Sequence, residues 1–336
     1  MSTRNTIKLN PMDLRYLLID SLRLYSDNVI FIDGGNPYRF SINNKTYYVL
    51  IKNTHESGDG RGNQDECRIQ VAKTKNFNEA LSSKHDVIVL GYLADKNVFT
   101  AWNPFLMRDR FNIKQTISLY SRFTVQKKAS KEKISLYTDN NNQSVISFTP
   151  DNLGLYLENI KSIHLLSELE LKELVNKSNS LNDNGIDGNL KNQYGVFTIT
   201  HDRKKRDPNF RKTVYQAYDN RCAMCGIQLE LIEAAHIVPH AHDKGTDEVS
   251  NGVCLCALHH TAYDRALVYF DEELNIVIND SKVQYLEKMG LDGGFRKFES
   301  MFFDKLTIPE SCISRPNVSN IKIANHSRGI GIEISN

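Results

Sequence analysis

The sequence predicts an α+β fold in two parts, a strand-rich N-terminal domain of mixed α+β type and a smaller C-terminal unit. Three observations carry that prediction. The chain has 336 residues, 40% hydrophobic and 24% charged, enough for about two cores of ordinary size. Short β-rich runs recur through the first half between polar turns. A stretch over 176–193, rich in Asn, Ser, Asp and Gly, holds few large apolar residues and reads as a polar linker. The division expected is 1–165 for the first domain, 166–193 for a helix and linker, and 194–330 for the second unit.

The elements follow in order. Leu14, Leu17, Leu18 and Leu22 recur at helical spacing and predict a first helix. Residues 40–52 read as strand, turn and strand, with the turn at Asn43 and Asn44. Residues 55–63 form a Gly-rich polar loop. Arg68 to Val71 is a strand, and 86–92 is a short apolar run bounded by polar residues, a buried strand. Its hairpin partner is 98–102, across Asp95, Lys96 and Asn97. Two more strands are expected at 134–137 and 144–148, and a helix over 152–175.

No stretch approaches the roughly 18 consecutive apolar residues of a membrane helix. No apolar signal core follows the N-terminus, so a cytoplasmic protein is expected. The net charge of +2 excludes a bulk polycation, and a nucleic-acid partner would need local patches.

Of the six cysteines, Cys222, Cys225, Cys254 and Cys256 fall within 35 residues, which favours metal over disulfides in a cytosolic chain. Cys67 and Cys312 read as buried small apolar residues. Cys222 and Cys225 form one two-residue knuckle, and Cys256 with His259 forms a second, 31 residues on. Two such knuckles supply the tetrahedral soft-ligand set of structural Zn²⁺. Cys254 could replace Cys256, but only Cys256 keeps the spacing.

Three chemistry-bearing residues then remain, His236, Asn251 and His260. At this point the sequence resembles the HNH nucleases, the ββα-metal fold, and in particular bacterial restriction enzymes with McrA-like HNH domains. The matching residues are Ala235-His236-Ile237-Val238-Pro239, Asn251-Gly252 and His259-His260, with 206–226 ahead of them and Leu306 to Pro309, Pro316 and His326 behind. The resemblance covers roughly 194–328. It implies that His236 is the general base, that Asn251 orients it and braces the hairpin loop, and that His260 holds a catalytic Mg²⁺ or Mn²⁺. One position departs from the pattern. Ala235 stands where many members carry a second cation ligand, and Asp264 or Glu233 could serve instead. Asp264 is four residues after His260, on the same helix face, and Glu233 shares a strand face with Ala235.

Contacts to DNA are expected from the basic run Arg203, Lys204, Lys205, Arg206 and Arg211, ahead of the first knuckle. In the first domain, Arg61, Asn63 and Arg68 are of the types that read base edges. Trp102 and the tyrosines at 47, 48 and 92 could line a pocket for a flipped base, although such aromatics are more often core. Lys127, Lys128, Lys131 and Lys133 could track phosphates. His240 and His242 read as loop residues.

The function expected is a sequence-specific DNA endonuclease of the type II restriction kind. It would act on double-stranded DNA as a homodimer, with a cognate methyltransferase as possible partner and no membrane association. The alternatives are a nuclease dependent on methylated DNA, a phage-defence effector nuclease, and a non-catalytic zinc module that binds DNA.

Overall fold

A computed structural model describes residues 7–26, 28–56, 65–184, 188–192, 195–199, 208–240 and 242–331. The chain divides into two compact units. One comprises 1–27 with 34–203, and the other 204–335 with the short segment Asn28–Asp33. Among the described residues no helix is long and apolar enough to cross a membrane.

In the N-terminal unit the first helix is Pro11–Arg23. Asn10 accepts from the Asp13 amide, Asp13 caps the Asn10 amide in return, and Pro11 occupies the first turn. Its four leucines are buried. Strands Tyr38–Ile42 and Lys45–Asn53 pair antiparallel across Asn43 and Asn44, which both take positive φ (49° and 63°). A two-residue hairpin turn of matching twist requires this. Lys45–Asn53 runs parallel to Asp86–Leu93, which turns at Asn97 (φ 50°) into Val98–Ala101. Ser144–Phe148 and Ile134–Thr138 complete that side of the sheet. A second antiparallel sheet joins His55–Glu56, Glu66–Ala72 and Thr116–Arg122. Leu50, Ile69, Val71, Phe77, Val89, Trp102 and Phe111 share a core cluster drawn from both sheets and their helices.

Several features differ from the sequence reading. Lys75–Ser82, Pro104–Ile113 and Phe123–Glu132 are helices in stretches where the sequence reading placed none. The first two start at the side-chain caps Thr74 and Asn103. The helix expected over 152–175 is broken into Leu153–Glu158, a 3₁₀ turn and Glu168–Asn184. The stretch 176–193 is not a structureless linker. Buried Leu171, Leu174 and Val175 anchor a helix that continues to Asn184, and Gly188–Asn192 pairs with Gly195–Ile199. Trp102, Tyr47 and Tyr92 are core, at 6%, 2% and 1% exposure, so they line no open pocket. Lys128 and Lys133 of the basic run are paired with Glu168 and Asp151.

His164 is buried in this unit. Its Nδ1–H donates to the Ser144 carbonyl (2.9 Å), and the Tyr156 hydroxyl lies 2.9 Å from Nε2. Burial holds its pKa down to about 4.

The C-terminal unit centres on the hairpin Ile232–His236 with Gly252–Cys256, which runs straight into helix Ala257–Asp264. Helix Pro208–Ala217 packs on the hairpin. A side chain at Gly252 would meet Val214 at 2.4 Å and Phe210 at 3.1 Å, so glycine permits that approach. Strands Val268–Phe270 and Ile276–Ile278 and helix Val318–Ser327 close a core around Val253, Leu255, Tyr263, Phe270 and Ile321.

Candidate active site and metal centre

The metal centre is built by two backbone devices. Gly226 takes φ +75° and its amide donates to the Cys222 carbonyl (2.8 Å), while the Cys222 amide donates to Ile227 (2.8 Å). This bends the first knuckle so that Cys222 and Cys225 converge. Cys256 ends the second hairpin strand, and His259 lies in the first turn of the next helix. The ligand atoms of Cys222, Cys225, Cys256 and His259 all lie within 4.8 Å of one another. The Nδ1 of His259 is 3.5 Å from Cys222 Sγ and 3.3 Å from Cys256 Sγ. Three thiols and an imidazole at these separations fit a tetrahedral Zn²⁺ with bonds of about 2.0–2.3 Å. Cys254 lies outside this set, and burial pushes its thiol up to about 12. Phe298 and Phe302 pack against the His259 ring, which is 1% exposed.

His236 is the last residue of its strand, opposite Gly252. Its ring stacks on Phe210 (centroids 4.0 Å apart, 11° between planes), the contact that the bare Gly252 backbone makes room for. Its Nε2 lies 2.8 Å from Asp247 Oδ1, and His240 Nε2 lies 3.4 Å from the other oxygen. Asn251 is fully buried. Its Oδ1 accepts from the Val238 amide (2.9 Å), and its Nδ2 donates to the carbonyls of Val238 (3.0 Å) and Thr246 (2.8 Å). Asn251 therefore ties the strand exit after His236 to the residue before Asp247. It acts on the loop backbone, and Asp247 is the group on the imidazole.

His260 follows His259 on the same helix and faces different chemistry. Its Nδ1 bonds Glu233, and its Nε2 lies 3.2 Å from Asp264 Oδ2. Burial presses its pKa down, but Asp264 and Glu233 outweigh burial and raise it to about 9. The two carboxylates lie on opposite ring nitrogens, so a cation on Nε2 would share Asp264, with Glu233 fixing the tautomer from behind. Arg328, 1% exposed, spans both halves. It donates to the Ile237 carbonyl (3.0 Å), approaches Asp264 (3.5 Å) and stacks 4.0 Å over the Tyr263 ring.

Neither Asp247 nor Arg328 stood out in the sequence. Asp247 shares its loop with Asp243 and Glu248, and no spacing separates the three. Arg328 lies 64 residues from its partner Asp264. Of the expected DNA contacts, Arg211 is exposed, with its Nε 2.9 Å from the Tyr215 hydroxyl. Arg68 lies in the N-terminal unit opposite His55. Arg61, Asn63, Arg203, Lys204, Lys205 and Arg206 lie outside the described residues.

A hairpin ending in His236, a buried Asn251 and a helix bearing His260, set beside a Cys₃His cluster, form the arrangement that the resemblance to the ββα-metal nucleases implies. Residues 222–271 match the family model of the HNH endonuclease, so the C-terminal unit carries an HNH domain and the chain is a phosphodiester-cleaving hydrolase. Residues 45–157 match a second family model, described as methylase-associated X1. A solved structure described as a modification-dependent TagI restriction endonuclease is 11% identical over 89% of this chain and 83% of that one. Its TM-score of 0.28 is too low to indicate a shared fold. No curated protein matches the chain.

Proposed function

We propose that the chain is a restriction endonuclease that cuts double-stranded DNA, with the HNH domain as cutter and the N-terminal unit as selector of sites. The observation that supports this best is one hairpin and helix presenting a carboxylate-backed imidazole, His236 with Asp247, together with a carboxylate-flanked imidazole, His260. The methylase-associated match supports a cognate methyltransferase as partner, and two cuts per duplex favour a homodimer.

In this reading Asp247 accepts Nε2–H of His236, which leaves the basic lone pair on Nδ1 to take a proton from the attacking water. Phe210 holds the ring in plane, and Asn251 holds the loop that carries both partners. His260 and Asp264 would hold Mg²⁺ or Mn²⁺, which supplies Lewis-acid stabilisation of charge at the scissile phosphate. Glu233 keeps the His260 proton on Nδ1. Arg211, with the basic run before it, would contact the phosphate backbone.

The test is cleavage by the pure protein, with Mg²⁺ and then Mn²⁺, of one plasmid prepared unmethylated and methylated. Discrete fragments from unmethylated DNA are expected. Cleavage of methylated DNA alone would replace this reading with a modification-dependent enzyme. Loss of neither cutting nor metal dependence in His236→Ala would sink the HNH mechanism.

A further inference from the structure

The N-terminal unit carries a cationic groove outside the residues of the HNH domain. Its volume is about 620 Å³, and Leu14, Ile51, Lys52, His55, Gln70 and Thr116 line it. Two amides fix its walls. The Leu9 amide donates to Asn53 Oδ1 (3.0 Å) and Asn53 Nδ2 donates back to the Leu9 carbonyl (2.8 Å). This pins Lys8 beside the strand that holds Lys52. Asn36 holds the Ile51 backbone through both its oxygen and its nitrogen.

His55 stands directly across from Arg68 in the second sheet. Burial, followed by the charges of Lys8, Arg68 and Lys52, holds its pKa down. Like charges in facing strand positions repel. Elsewhere in this unit Lys45, Lys128 and Lys133 each meet a carboxylate within 3.1 Å. Among the described residues Lys8, Lys52, His55 and Arg68 form no ion pair with any acid of the chain. Lys52 and His55 line the groove, and Lys8 and Arg68 stand close enough to His55 to act on it, so basic side chains from three segments meet here without an internal counter-charge. That arrangement costs stability unless an external anion answers it.

We propose that this groove is a contact site for the phosphodiester backbone of DNA. Lys8, Lys52, His55 and Arg68 lie against successive phosphates, and Gln70 and Thr116 donate along the strand. Three cations, Lys8, Lys52 and Arg68, beside the neutral His55 imidazole exceed what one phosphate engages, and the apolar floor of Leu14, Ile51 and Ala72 suits sugar edges rather than a solvated ion. The inference rests on the reading of the chain as a DNA-acting enzyme and adds where the N-terminal unit grips.

The experiment uses full-length protein carrying His236→Ala, which is expected to bind DNA without cutting it. Affinity for a fluorescein-labelled duplex is measured by anisotropy as salt is raised from about 50 to 200 mM. Adding Lys52→Ala and Arg68→Ala should weaken binding tenfold or more and flatten the slope of log K against log salt by about 2, roughly 0.9 per lost phosphate contact. The charge-keeping pair Lys52→Arg and Arg68→Lys should restore both, with no variant melting below its parent. Equal affinity and slope in the alanine variant would overturn the proposal, as would no DNA binding by its parent. Stabilisation by inorganic phosphate that needs Lys52 and Arg68, with DNA affinity unaltered, would also overturn it in favour of a small anion. A wild-type chain that never cuts DNA but binds it through Lys52 and Arg68 would remove the nuclease reading and leave this site standing. Normal cutting with insensitive binding would do the reverse.

Discussion

His164 in the N-terminal unit and His260 in the C-terminal unit are almost equally buried, at 7% and 8% exposure. Their ionisation differs by about five pH units, from about 4 to about 9. His164 meets a carbonyl and a hydroxyl, both neutral, so desolvation decides and the ring stays uncharged. His260 pays the same desolvation, but Asp264 and Glu233 flank both its nitrogens and reverse the sign. Burial alone makes a structural histidine, and burial between carboxylates makes one that wants a positive charge. His259 adds a third environment one residue away. A rotation of about 100° along the helix carries the ring from two carboxylates to three thiols.

The largest test of this contrast removes the soft side. Structural zinc contributes about 10–16 kcal/mol in zinc-finger peptides near neutral pH, and that binding energy is folding energy. A chelator, or Cys256→Ser, should therefore release zinc and unfold the C-terminal unit, read by metal analysis and circular dichroism. Cys254→Ser should retain the metal, because Cys254 lies outside the four converging ligands. Zinc lost equally from both variants would break the ligand assignment.

Next comes the imidazole backed by Asp247. His236→Ala should lower cleavage by about 10²- to 10⁴-fold, the usual worth of a general base, with zinc content and melting unchanged. His259→Ala should show the opposite pattern, in which zinc and fold fail together.

The third test addresses His164. Its folded pKa lies below the ordinary histidine value of about 6.5, so the unfolded chain binds more protons between about 6.5 and about 4. Stability is therefore complete above pH 6.5 and falls as the pH drops toward 4. The total loss is about 3 kcal/mol at 1.36 kcal/mol per pH unit. His164→Gln should flatten that part of the stability curve in urea titrations across this window. A curve of unchanged slope would show that His164 is not the group responsible.

How much of this was legible in the sequence depends on the distance over which each contact acts. The knuckle spacing of Cys222, Cys225, Cys256 and His259 is local, and it identifies the cluster before any coordinates. So are the Asn43-Asn44 turn and the leucine period of the first helix. The helix running on to Asn184 hid behind polar residues, because what stabilises it is Leu171, Leu174 and Val175 at its start. Asp247 and Arg328 act on partners reached only through the hairpin and the last helix, so no short pattern marks them. The groove at Lys52, His55 and Arg68 needed the strand pairing that sets His55 against Arg68.

The smallest effect decides which carboxylate replaces the ligand missing at Ala235. Glu233 and Asp264 meet opposite nitrogens of His260, so they cannot both join one cation bound through that ring. If the cation takes Nε2, Asp264→Asn removes a neighbouring oxygen charge and should raise the Mn²⁺ concentration for half-maximal cleavage by about 10- to 100-fold. Glu233→Gln should raise it less, since the carboxamide oxygen still accepts Nδ1–H and preserves the tautomer. Nucleolytic metal titrations of the two variants separate the cases. The reverse ranking would place the cation on Nδ1 with Glu233, and Asp264 would then be the group that orients the ring, held in its turn by Arg328.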